Sequence, residues 1–104
     1  MDKDNAYKIA VNYAQYLKEN EQNILKVFLF GSYATGKQNI NSDIDLAVIY
    51  NKLDDKFKTQ VNLLMLTTKF DTRIEEPHPF DFEEFDSRNT PLINEIIKNG
   101  IEVV

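Results

Sequence analysis

The 104-residue chain has no cysteine and no tryptophan, a single histidine, and only three glycines and three prolines. Without cysteine there is no disulfide framework, no thiolate metal site and no cysteine nucleophile. So few glycines and prolines exclude collagen-like and low-complexity classes. No apolar run approaches the roughly 20 residues a bilayer span needs. The opening MDKDNAYKIA is acidic and amphipathic rather than basic and continuously apolar, so it does not read as a targeting segment. No membrane association is expected, and a cytoplasmic protein is the default. Positive charge is in deficit too: 12 Lys and Arg against 17 Asp and Glu give a net charge of −5. That leaves no general basic surface to hold a phosphate backbone by counterion release, and stable nucleic-acid binding is not expected.

The composition that remains, 42% hydrophobic and 28% charged, is that of an ordinary globular chain. The length predicts one domain over residues 1–104, with a two-layer core and no room for a separate substrate domain.

Periodicity predicts alternating elements. Ala6, Ile9, Ala10, Tyr13 and Leu17 recur at helical spacing and predict a first helix. NILKVFLF, Asn23 to Phe30, is a short branched and aromatic run ended by Gly31 and reads as a buried strand; DIDLAVIY, Asp43 to Tyr50, reads as a second. In NKLDDKFKTQVNLLMLTTKF, residues Leu53, Phe57, Val61, Leu64 and Thr68 are spaced about a turn apart. A second long helix is expected there, with Asp54 and Asp55 near its positive end. FDTRIEE, Phe70 to Glu76, alternates and is closed by Pro77, which predicts a third strand. PHPFDFEEFDSRN is expected to be a loop, with His78 fixed between two prolines and Phe80, Phe82 and Phe85 anchoring a solvated acidic face. Thr90 and Pro91 open a short helix that Asn99-Gly100 stops, and IEVV can form a terminal strand. The fold class is therefore α/β (α+β), a small mixed sheet with helices packed on it.

The chemistry concentrates in FLFGSYATGKQNINSDIDLAVIY, Phe28 to Tyr50. Side chains alternate along a strand, so Asp43 and Asp45 share one face while Ile44, Leu46 and Val48 take the other. Two carboxylates rooted about 7 Å apart repel one another unless a cation sits between them. A hard divalent ion such as Mg²⁺ resolves this, accepting one or two carboxylates and completing its shell with water and substrate phosphates. Gly31 ends the first strand without a Cβ, and Ser32 to Thr35 can start a helical turn whose N–H groups face an anion. Gly31, Ser32 and Ser42 are the candidate phosphate-binding residues. A third carboxylate should face the same spot. Asp71, on the polar face of the expected third strand, is the choice over Glu75, both as a metal ligand and as the group that takes a proton from an attacking hydroxyl. Tyr33 and Lys37 either touch the phosphorylated ligand or merely cover the turn.

GSYATGKQNINSDIDLAVIY resembles the signature of the DNA-polymerase-β-like nucleotidyltransferase superfamily, a Gly-Ser turn followed by a two-aspartate strand. FDTRIEEPHPF is similar to its third-carboxylate strand. At this length the chain resembles the minimal nucleotidyltransferase subfamily of bacteria and archaea. The resemblance implies transfer of a nucleoside monophosphate, AMP from ATP by family habit, to a hydroxyl, with pyrophosphate released. It implies Gly31 and Ser32 on phosphate, Asp43 and Asp45 on Mg²⁺, two ions once the nucleotide is bound, and Asp71 completing the triad. Larger members append a helical domain that recognises base or acceptor, and this chain ends before one could form. Minimal members are commonly paired with a helical HEPN-type ribonuclease toxin, as antitoxins that attach AMP to a toxin tyrosine, so such a partner is implied. Two other readings stay open: an interaction module that neutralises a partner by binding it, and a small-molecule adenylyltransferase, for which the chain lacks an acceptor pocket.

Overall fold

Asp2 starts the first helix by accepting a hydrogen bond from Asn5 N at 2.8 Å, and α1 runs from Lys3 to Asn20. In the computed structural model, which describes residues 2–39, 42–70, 73–74 and 77–104, the elements that follow are β1 (Ile24–Phe30), α2 (Ser32–Thr35), β2 (Asp45–Tyr50), α3 (Lys56–Thr67), β3 (His78–Asp81), α4 (Phe82–Ser87), α5 (Pro91–Asn99) and β4 (Ile101–Glu102). The expected mixed α/β architecture is present. The four strands form one sheet in the order β3-β2-β1-β4, with β1 antiparallel to β2 and β4, and β2 parallel to β3. A parallel pair needs a crossover, which α3 supplies.

Both faces of the sheet are covered. One carries Val27, Leu29, Leu46 and Val48 against Ala6, Ala10, Tyr13, Ala14 and Leu17 of α1 and Leu63 of α3. The other carries Phe30, Ala47, Ile49 and Phe80 against Ile93 and Ile96 of α5, with Phe28 and Phe85 packed at its margin. The caps follow the local sequence: Asp55 accepts from Lys58 N at 3.0 Å, and Thr90 accepts from Ile93 N at 3.2 Å with Pro91 in the first helical position.

Three expectations change. Among the described residues the third strand of the sheet is His78–Asp81, beyond the stretch Phe70–Glu76 where a strand is expected. Of that earlier stretch, Asp71, Thr72, Glu75 and Glu76 lie outside the described residues; Phe70 sits in a turn with its ring against Tyr13 and Tyr16. Ile74 forms an isolated parallel bridge to Ile44, and Arg73 O accepts from Ile44 N at 2.8 Å. The segment expected to be a loop instead holds β3 and α4. Its prolines argued against a strand, yet β3 lies at the sheet edge, where Pro79 needs no ladder partner for a missing N–H. Finally, α3 does not bury its turn-spaced stripe. It buries Leu63 and Thr67, while Phe57, Val61, Leu64 and Met65 are exposed.

Tyr13 and Tyr50 are buried phenols on the α1 side. The Tyr13 hydroxyl donates to Leu63 O at 2.8 Å, tying α1 to α3. Burial raises the pKa of both well above the usual tyrosine value, helped by Tyr50 at Tyr13 and by Glu21 at Tyr50. The folded state therefore keeps these protons where an unfolded chain, with tyrosine near about pH 10, releases them. Their contribution to stability is fully present below about pH 10 and is lost as pH rises beyond it. In an alkaline absorbance titration, Tyr13 and Tyr50 should ionise only together with unfolding. Tyr13→Phe should cost about 1 kcal/mol at neutral pH for the lost hydrogen bond, and should flatten the alkaline decline in a chemical-denaturation series.

Candidate functional site

The β1 and β2 strands bring the two halves of the candidate site together. Their register sets Phe30 opposite Asp45 and Phe28 opposite Ala47. Residues paired across a sheet share a face, so Asp45 lies on the face of Phe28, Phe30, Ala47 and Ile49, at the end where β1 runs into Gly31. Asp45 is half-buried and Asp43, two residues earlier, is exposed, whereas Ile44 between them is fully buried on the opposite face. Burial alternates over these three residues, although regular strand pairing begins at Asp45 rather than Asp43.

Gly31 explains why the turn and the acid meet. Its φ of 77° and ψ of −151° belong to a region that essentially only glycine occupies. A Cβ built there would collide with the Asp45 carboxylate. The missing side chain is therefore what lets that carboxylate close on the turn. From Gly31 the chain enters α2, where Ala34 N and Thr35 N donate to Gly31 O at 3.1 and 3.2 Å. Ser32 and Tyr33, at the start of this turn, have no carbonyl four residues back within it. Gly36, at φ 77° and ψ 15°, closes the helix in the left-handed conformation.

The remaining candidates divide. Tyr33 is buried, and its hydroxyl donates to Ser42 O at 3.2 Å; it ties the α2 turn to the loop before β2 and so covers the turn. Ser42 Oγ accepts from Asn39 N at 2.9 Å and closes that loop, while its own O–H remains a donor. Lys37 is exposed. Asp71 and Glu75, the two candidates for the third carboxylate, lie outside the described residues.

His78 is the residue that sequence reasoning missed. It pairs with Ala47, shares the Asp45 face, and sets its ring edge-on to Phe30 with centroids 5.6 Å apart. In register His78 and Phe28 flank the small Ala47, so the His78 ring meets Phe30 diagonally across β2. The available signal was the alternation of His78 and Phe80, which the flanking prolines obscured.

Among the described residues no three acidic, histidine or cysteine side chains converge to hold a metal. The expected oxygen donors among them are Asp43 and Asp45, two residues apart at the start of β2. An all-oxygen pair of this kind fits a hard divalent ion that takes its remaining ligands from phosphate and water.

The chain matches the family described as polymerase beta, nucleotidyltransferase, over residues 12–104. It is 29% identical over 84 residues to the protein adenylyltransferase MntA of Shewanella oneidensis; the match covers 81% of this chain and 56% of that relative, so the chain spans little more than half the relative's length. Among solved structures it is similar to a toxin-antitoxin crystallised with AMP-PNP, with TM-score 0.59 and 26% identity over 90% of this chain and 72% of that one. It also shares its fold with a putative nucleotidyltransferase from Sulfolobus solfataricus, with TM-score 0.63 and 18% identity over 96% of this chain and 80% of that one.

Gly31→Ala should lower stability by about 1–3 kcal/mol from backbone strain and by a further amount from the collision with Asp45. Adding Asp45→Ala should recover the second part only. Gly36→Ala, where a Cβ meets open space, should cost only the left-handed penalty of about 1–2 kcal/mol. Thermal melts of the four proteins separate these contributions.

Proposed function

Since this chain belongs to the polymerase-β nucleotidyltransferase family, we propose that it transfers AMP from ATP to a hydroxyl on a partner protein, a tyrosine of a helical HEPN-type toxin, and so acts as the antitoxin of a pair. The observation that carries the reading is the closure of the Asp45 carboxylate on Gly31, an acid against a glycine turn where β1 and β2 end. The names of the similar proteins, a protein adenylyltransferase and a toxin-antitoxin holding an ATP analogue, support the substrate and the partner.

In this reading Ser32 donates its hydroxyl, and the first-turn amides their N–H groups, to the triphosphate. Asp43 and Asp45 would hold Mg²⁺. When bound, the metal neutralises charge on the phosphates and on the attacking and leaving oxygens of an in-line displacement. The acceptor oxygen forms a bond to the α-phosphorus, the bond from that phosphorus to the bridging oxygen breaks, and pyrophosphate leaves with the electron pair. The acceptor proton passes to the third carboxylate, Asp71 in this proposal, with Glu75 as the alternative. The protein contributes positioning and charge, and the partner contributes the nucleophile held in place, where proximity can supply several kcal/mol, about 7 at the lower end of measured cases.

Asp43→Asn and Asp45→Asn should keep the melting temperature of the parent or raise it slightly, since each relieves a repelling pair, while labelled AMP transfer in Mg²⁺ is lost. A sharp fall in melting temperature for either would make the aspartates structural. ATP should bind far more weakly in EDTA than in Mg²⁺ by calorimetry. Asp71→Asn should bind ATP with Mg²⁺ nearly as the parent does and yet fail in transfer, with Glu75→Gln much less affected. The opposite order would assign the proton to Glu75.

A further inference from the structure

Helix α3 wears its hydrophobicity outward. At about 100° per residue, Phe57, Val61 and Leu64 fall on one strip with Met65 beside it. Their exposures are 77%, 39%, 43% and 66%, while the face turned to the sheet buries Leu63 and the polar Thr67. The fold satisfies Thr67 locally, its hydroxyl donating to Leu64 O at 2.6 Å. A helix held to its own domain by its less apolar face, with an aromatic and a methionine in solvent, has an apolar surface that this chain does not use.

The charge around the stripe identifies what fits it. From Lys56 to Phe70 there are three lysines and no acid, in a chain of net charge −5. Lys56 is committed, paired with Glu84 at 3.0 Å and set over the Phe80 ring. Lys58 and Lys69 have no ion pair among the described residues. Lys58 follows the stripe on the Met65 side, with Asp54 and Asp55 before it, and Lys69 lines the same shallow depression as Met65, Asn62, Thr68 and Glu21. An apolar strip edged by unpaired cations complements an amphipathic helix with leucine-type anchors and acidic flanks.

We infer that the outer face of α3, centred on Phe57, Val61, Leu64 and Met65 and edged by Lys58 and Lys69, is the docking surface for an acidic amphipathic helix of a partner protein. The inference rests on the reading that the acceptor hydroxyl is carried by a docked protein, and supplies the place where that protein is held. Because α3 ends at Thr67, a few residues before Ile74 and its bridge with Ile44, a helix lying along this face runs toward the end of the sheet where Asp45 stands.

The test uses a fluorescent synthetic helix of about three heptads, leucine on one face and glutamate on its flanks, and a second in which lysine replaces glutamate. By anisotropy the parent protein should bind the glutamate peptide about tenfold more tightly than the lysine peptide, with the difference shrinking as salt is raised. Phe57→Ser and Met65→Ser should each weaken binding about tenfold without lowering the melting temperature, because both side chains are mostly in solvent. Lys58→Glu with Lys69→Glu should reverse the preference. ATP binding measured on the same variants should match the parent; peptide binding by a parent protein that binds no ATP would support this surface while ending the transferase reading. The inference is overturned by any of four results: no peptide binding, equal binding of the two peptides, binding indifferent to both serine variants, or a parent dimer in sedimentation that Phe57→Ser dissociates. The last would make a second copy the occupant. Binding to phosphatidylglycerol vesicles that Phe57→Ser abolishes would overturn it as well, in favour of a membrane.

Discussion

The close approach of the Asp45 carboxylate to Gly31 organises the site, and the β1–β2 register is what imposes it. With Phe30 opposite Asp45, the last pair of the ladder ends where the chain must turn away from the sheet. Any residue with a Cβ at position 31 would push the carboxylate off. One glycine thereby sets the backbone of the α2 turn, the position of an acid and the distance between them. Tyr33 and Ser42 then hold the returning loop against the turn, so that the path from Gly31 to Asp45 is tied at both ends.

The sheet supports this arrangement by being covered on both faces. Strand β2 is buried on each side, against α1 and α3 on one and α5 on the other. Asp45 therefore stands at the end of a strand buried on both faces, which suits chemistry that works by positioning. The parallel strand β3 extends the same face and carries His78 and Phe80 beside Ala47 and Ile49. Its link to α3, through Lys56 with Glu84 and the Phe80 ring, joins the crossover helix to the α4 side of the molecule.

Helix α3 combines two demands. As the crossover between parallel strands it must lie on the sheet, and it does so through Leu63, Thr67 and the carbonyl that receives the Tyr13 hydroxyl. Its more apolar strip is left for solvent or a partner. In the proposed reading, that strip is where the protein carrying the acceptor is held.

Much of this was legible from local sequence. The helical spacing of Ala6, Ala10, Tyr13 and Leu17, the caps at Asp55 and Thr90, the two apolar strands and the shared face of Asp43 and Asp45 depend on periods of 3.6 and 2 and on short-range hydrogen bonds, which neighbouring residues dictate. Family membership was carried by the Gly-Ser turn and the SDID run for the same reason: a backbone region open only to glycine and a pair of like charges are costly unless used. Other features depended on what lies across the fold. Periodicity identified a stripe on α3 but could not say which face meets the sheet, because Leu63 and Thr67 are chosen by the position of β2, β3 and α1. The prolines around His78 read as breakers until the sheet order made that strand an edge. His78 came to the Asp45 face only through a parallel pairing some thirty residues distant in sequence, between Ala47 and His78, which no local pattern encodes.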